Sequence, residues 1–123
     1  DGLGFSWGCR MATTITGSPH AAGGLTARVA MDGTAGNCEA VTLPGWARRV
    51  CVAFRDSGGS GTTGQISRGQ TETDGAAIST NAYQIESGAH IEMTLRPGRS
   101  AGAVTLYLAC GGNSGFAYLM IEG

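Results

Sequence analysis

The sequence predicts an all-β protein: a single-domain antiparallel β-sandwich, Ig-like or jelly-roll-like, preceded by an extended N-terminal arm. The clearest sign is an alternation with period two, in which Val50, Val52 and Phe54 oppose Arg49, Cys51, Ala53 and Arg55. That pattern marks a strand with one face on a core. Twenty-two glycines punctuate short apolar runs while hydrophobic residues still make up 41% of the chain. Many turns around a real core, rather than disorder, follow from that combination. No segment has the period and length of an amphipathic helix. At 123 residues the chain is one domain, and a fold of this size buries about two-thirds of its unfolded surface.

Residues 1–24 are rich in Gly, Ser and Thr, with Phe5, Trp7 and Ile15 as the large apolar anchors. Too poor in apolar surface for a core of its own, this arm is expected to pack on the body or on a neighbouring subunit, with one strand over 11–16. Residues 25–123 form the sandwich. Over 25–31, Leu25, Ala27, Val29 and Met31 alternate with polar or small residues, a strand closed by the Asp32-Gly33 turn signal. A short strand over 39–43 leads into a turn at Pro44-Gly45. Residues 48–55 follow as a central strand, ended by Ser-Gly-Gly-Ser-Gly at 57–61. A weak strand over 64–68, a turn centred on Asp74-Gly75 and a brief strand over 82–85 come next. After the Glu86-Ser87-Gly88 turn, residues 90–95 alternate Ile91, Met93 and Leu95 against His90, Glu92 and Thr94. Arg96-Pro97-Gly98-Arg99 is another turn. Residues 104–109 and 116–122 are apolar on both faces, so each is either central in a sheet or covered by another chain. The linker 110–115 joins them as a C-terminal hairpin.

Charged residues make up 14% of the chain and the net charge is −1, which excludes a field that would recruit nucleic acid or an anionic membrane. No apolar stretch approaches the ~18 residues of a membrane span. The chain begins at Asp1 without a charged segment leading into an apolar one, as expected of a trimmed or mature form. All eight basic residues are Arg, the cation suited to planar, multidentate contacts. The four cysteines, Cys9, Cys38, Cys51 and Cys110, allow three full pairings. An even count fits two disulfides in an oxidising setting: Cys51 with Cys110 between strands or sheets, and Cys9 with Cys38 among the N-terminal loops. Four small buried thiols are the alternative.

Catalytic chemistry finds little support. His20 lies in a loop, and His90 beside Glu92 reads as a surface pair before it reads as a proton relay. Glu72, Asp74, Glu86, Glu92 and Glu122 are scattered over turns and strand ends. No two ligands carry zinc-finger spacing, Asp32, Asp56 and Asp74 lack that of a calcium loop, and the glycines near 58–64 lack the Gly-Lys-Ser/Thr ending of a phosphate loop. Neither an enzymatic activity, a cofactor nor a metal is expected. Trp46, Arg48 and Arg49, with Phe5 and Trp7 of the arm, form the candidate interface.

Five stretches carry a resemblance. They are Val41-Thr42-Leu43-Pro44-Gly45-Trp46-Ala47-Arg48-Arg49-Val50, Thr73-Asp74-Gly75-Ala76-Ala77-Ile78, Ala82-Tyr83-Gln84-Ile85-Glu86-Ser87-Gly88-Ala89, Leu106-Tyr107-Leu108-Ala109 and Tyr118-Leu119-Met120-Ile121-Glu122-Gly123. Over 41–123 the chain resembles small β-rich structural proteins of tailed bacteriophages, of the head decoration (cement) or fibre-base type. The first forty residues and the cysteines lie outside the shared pattern. The resemblance implies a subunit on the virion surface that binds the major capsid protein or neighbouring virion subunits. It also implies a homo-oligomer, a trimer being one form, with no catalytic residues. Modest contacts repeated by symmetry would give such a subunit its avidity. The competing expectation is a secreted, lectin-like carbohydrate-binding module with Trp7, Trp46, Tyr83 or Tyr118 as stacking platforms.

Overall fold

The computed structural model of the chain describes residues 12–17, 23–68, 72–95 and 104–123. These residues form β1 (Thr13–Thr14), β2 (Gly24–Ala30), β3 (Cys38–Thr42), β4 (Arg49–Arg55), β5 (Gly64–Ser67), β6 (Tyr83–Ile85), β7 (His90–Thr94), β8 (Thr105–Cys110) and β9 (Phe116–Glu122). They build two sheets, ordered β1-β3-β8-β5-β6 and β2-β9-β4-β7. Every pairing is antiparallel except β1 with β3, which is parallel.

The connectivity identifies the type of sandwich. β5 pairs with β6, β4 with β7, β3 with β8, and β2 with β9. The chain is therefore one long hairpin with its tip at β5 and β6, rolled up so that successive strands of each arm fall alternately into the two sheets. Further pairings of β8 with β5 and β9 with β4 close each sheet. This is a jelly roll, one of the two forms anticipated.

The core lies between the sheets and takes the alternate residues that the sequence marked. Val50, Val52 and Phe54 of β4 meet Ala117, Leu119 and Ile121 of β9 and Val29 of β2 on one side, and Val41, Ile66, Leu106 and Leu108 on the other. Ile15, from the arm, is also buried in this cluster, and its N–H donates to Thr42 O at 2.9 Å. Phe5 and Trp7 lie outside the described residues.

One expectation is overturned. The strands 105–110 and 116–122 are not a hairpin: β8 and β9 belong to different sheets, and the connection between them crosses from one sheet to the other. Each lies between two other strands, β8 between β3 and β5 and β9 between β2 and β4. Both strands are central in their sheets, yet the outer face of β9 carries exposed Tyr118 and Met120, which a central position does not cover.

Several turns match their sequence signals. Gly75 and Gly88 have φ of 85° and 79° and close turns in which Ala76 N donates to Thr73 O and Ala89 N to Glu86 O, geometry that favours glycine. The Asp74 turn also does structural work away from itself. It lies along β3, where Cys38 N donates to Ala76 O, Gly75 N to Cys38 O, and Ala40 N to Asp74 Oδ1 at 2.8 Å. A carboxylate thus completes the edge of β3 where no strand does. Asp74→Ala is expected to destabilise the fold by about 1–3 kcal/mol through the orphaned Ala40 N–H. Asp74→Asn, which keeps an acceptor, should recover most of that in a urea melt. Equal losses for the two variants would refute the assignment.

Candidate functional site

The sheet β2-β9-β4-β7 turns one face to the core and the other to solvent, and the outer face carries the unusual chemistry. Strand register fixes its layout. Thr26, Met120, Cys51 and Glu92 form one row across the four strands; Arg28, Tyr118, Ala53 and His90 form the next. Flanking rows bring Glu122 beside Arg49, and Phe116 beside Arg55. The middle of the face is apolar: Phe116, Tyr118 and Met120 run down β9 beside Cys51 and Ala53. Met120 is 54% exposed and Tyr118 37%. Charges surround this stripe. The Arg28 guanidinium stacks over the Phe116 ring at 4.5 Å, a cation–π contact. Arg49 reaches Glu92 Oε1 at 3.1 Å and Glu122 Oε1 at 3.5 Å.

Two shallow depressions open on this face. One, of about 430 Å³, is lined by Arg28, Cys51, Ala53, Tyr118 and Met120 among others. The second, of about 320 Å³, lies toward β7 and is bordered by Arg49, Cys51, His90, Glu92, Met120 and Glu122. There one donor atom from each of Cys51, His90 and Glu92 lies within 4.8 Å of the others. His90 Nε2 is 4.0 Å from Glu92 Oε2. Burial pushes the Cys51 thiol up from its ordinary range, and the nearby carboxylates of Glu92 and Glu122 push it further. The His90–Glu92 neighbourhood was legible from their spacing on one strand. That Cys51 joins them was not, because only the pairing of β4 with β7 brings it opposite Glu92.

The expected Cys51–Cys110 disulfide is corrected by the placement of the thiols. Cys38, Cys51 and Cys110 are free, and Cys9 lies outside the described residues. Cys51 is on the outer face of one sheet, whereas Cys110 points into the core from the other, its thiol 3.7 Å from Arg55 O. Cys38 is fully buried on the opposite face of that second sheet, under the Asp74 turn, and its thiol donates to Thr73 O at 3.0 Å. Burial first, then the Glu72 and Asp74 carboxylates, raise its pKa above the ordinary thiol value. Sites on opposite faces of their strands cannot be bridged without moving backbone.

The remaining candidates fall in different places. Trp46 is half-buried against the core and its indole N–H donates to Gly17 O at 2.7 Å, so it braces the arm instead of presenting a ring to solvent. Arg48 is exposed; Arg49 belongs to the outer face described above. Tyr83 is exposed on β6, at the edge of the other sheet. Trp46, Tyr83 and Tyr118 are therefore not assembled into one platform. Trp7 and His20 lie outside the described residues. Among the described residues no helix is long and apolar enough to cross a membrane.

No protein-family model matches the chain, and no curated protein does. A solved structure similar to it comes from work titled "Bacillus endospore appendages form a novel family of disulfide-linked pili". The likeness spans 80% of this chain and 83% of that one, at 14% sequence identity and a TM-score of 0.34.

Proposed function

We propose that this protein is a non-enzymatic structural subunit of an extracellular or virion-surface assembly, in its most specific form a phage decoration, cement or fibre-base protein. The observation that carries the reading is the outer face of β2-β9-β4-β7. An apolar centre containing Tyr118, Met120 and Phe116, rimmed by Arg28, Arg49, Arg55 and Glu92, has the composition of an interface core and rim. A face of this kind on a small rigid sandwich is better suited to covering by a neighbour than to holding a small ligand. The occupant we assign is a second copy of the chain. Arg28 sits on edge strand β2 and Glu92 on the opposite edge strand β7. A two-fold axis lying in the interface near the strand direction exchanges those edges, and so brings cation to anion twice while the apolar stripes meet. The carbohydrate-binding alternative loses ground because Trp46, Tyr83 and Tyr118 are dispersed over separate surfaces.

The test is sedimentation of the purified wild-type chain beside Tyr118→Glu. The wild type should sediment as an oligomer, and the variant as a folded monomer with an unchanged circular dichroism spectrum. A wild type that stays monomeric at 100-fold different loadings, or a variant that assembles equally well, would overturn the reading. Electron microscopy of the native assembly then separates shell decoration from fibre base or another surface structure.

A further inference from the structure

Cys51, His90 and Glu92 stand out as a set of mixed donors with no role in the core. They come from two adjacent strands whose pairing places Cys51 directly opposite Glu92, with His90 two residues away on the same face of β7. The ladder holds their backbones in fixed register, while His90 and Glu92 keep largely exposed side chains free to adjust. Their donor atoms already lie within 4.8 Å of one another. In a tetrahedral zinc centre, bonds of about 2.0–2.3 Å place ligands roughly 3.3–3.8 Å apart. Rotamer adjustments of about 1 Å at the exposed side chains close the gap.

From this geometry we infer that Cys51, His90 and Glu92 form a binding site for a borderline-soft divalent transition metal, Zn²⁺ by preference, on the outer face of β4 and β7. The donor set decides the class. A thiolate and an imidazole select zinc and its neighbours in the transition series, whereas magnesium and calcium take oxygen ligands. The surroundings fit as well. Arg49 holds Glu92 through Oε1 at 3.1 Å, while Oε2 is the oxygen turned toward His90. Oε2 is thus the ligand atom, and Arg49 is a positioning residue of the kind that orients metal-bound carboxylates. Glu122 occupies the other side of Arg49, and Met120 forms the apolar flank. On binding, a sulfur–metal bond replaces the Cys51 S–H bond and its proton passes to solvent. His90 and Glu92 displace water from the ion, and the fourth position is left to water. All three ligands come from one chain, so the site needs no second copy. Glu92 is also the rim anion of the assembly proposed above, and metal binding and that ion pair compete for it.

The experiment uses Co²⁺ as a spectroscopic stand-in and Zn²⁺ in competition with a chromophoric chelator, on the reduced full chain. The expected result is one equivalent bound, with the thiolate-to-cobalt charge-transfer band of a cysteine ligand. Cys51→Ser should abolish that band. His90→Ala and Glu92→Gln should each weaken Zn²⁺ binding by roughly 100-fold or more, and Arg49→Met by about 10-fold, within the range seen for outer-shell partners. All four positions lie on the solvent face, so the metal-free melting temperature serves as the folding control. Cobalt binding that survives Cys51→Ser, affinity indifferent to His90→Ala or Glu92→Gln, or no uptake by the wild type at micromolar metal would overturn the inference.

Discussion

Gly64→Ala is expected to destabilise the protein by at least ~3 kcal/mol, at or beyond the upper end of the usual cost of overpacking. A Cβ at this position would fall onto Cδ2, Cε2 and Cγ of the Phe54 ring. Neither side can yield cheaply. Gly64 is paired on both flanks, with Ile85 of β6 and Cys110 of β8, and Phe54 is among the largest fully buried side chains. The phenyl ring of one sheet rests on bare backbone of the other, a contact only glycine allows. Phe54→Leu will itself be destabilising through lost contacts, yet combined with Gly64→Ala it should cost less than the sum of the two. A coupling of about 0.5–3 kcal/mol is typical for residues in direct contact. Urea denaturation of the two single variants and the double variant measures it. Strict additivity, or a Gly64→Ala loss under ~1 kcal/mol, would show that the ring does not rest there.

Neighbouring residues on β4 should respond in opposite ways to the same substitution. Val52→Asp places a carboxylate where the native side chain is fully buried, between Ile91 of β7 and Leu119 of β9. An unpaired charge in such a site costs about 3–5 kcal/mol or more, comparable with the entire ~5–15 kcal/mol stability of a domain. The variant is expected to be largely unfolded at room temperature. Ala53→Asp puts the same group on the outer face, in register with His90 and Tyr118, and should cost the fold of the single chain no more than about 1 kcal/mol. Thermal melts of the pair check this. Similar losses for both would mean that the strand's two faces are not distinguished as the structure has them.

That contrast also shows how far residue pattern reaches. Period-two alternation placed Val50, Val52 and Phe54 inward, because burial on one face leaves its mark on every second residue. Residues 116–122, apolar on both faces, offered no such choice for Leu119 and Ile121. Turn chemistry located Asp74-Gly75 and Gly88, where the backbone at both glycines takes a conformation that favours glycine. Pairing was much less legible. Strands adjacent in sequence usually pair, and on that basis 104–109 and 116–122 looked like a hairpin. In a rolled-up hairpin adjacent strands enter opposite sheets, and nothing local in residues 111–115 signals the crossing. The same blindness hid the metal-type cluster. His90 and Glu92 share a strand and were visible together, but Cys51 joins them only through the non-sequential pairing of β4 with β7. The Cys51–Cys110 disulfide was likewise misread, because an even count says nothing about which faces the sulfurs occupy. Gly64, seen as a weak start to a strand, carries a long-range meaning that only the opposing Phe54 supplies.

The rolled hairpin also governs when the molecule can take shape as it is made. Residues 13–85 contain partners for β3 in β1 and for β5 in β6, but β2 and β4 have none until β7 and β9 have been synthesised. A nascent chain halted before residue 90 therefore holds Val50, Val52 and Phe54 on a strand with no partner in its own sheet, and one halted before residue 116 still lacks β9. Closure over such sequence distances is slow because so much chain entropy must be surrendered first. Closure of the second sheet waits on β9, the shared partner of β2 and β4.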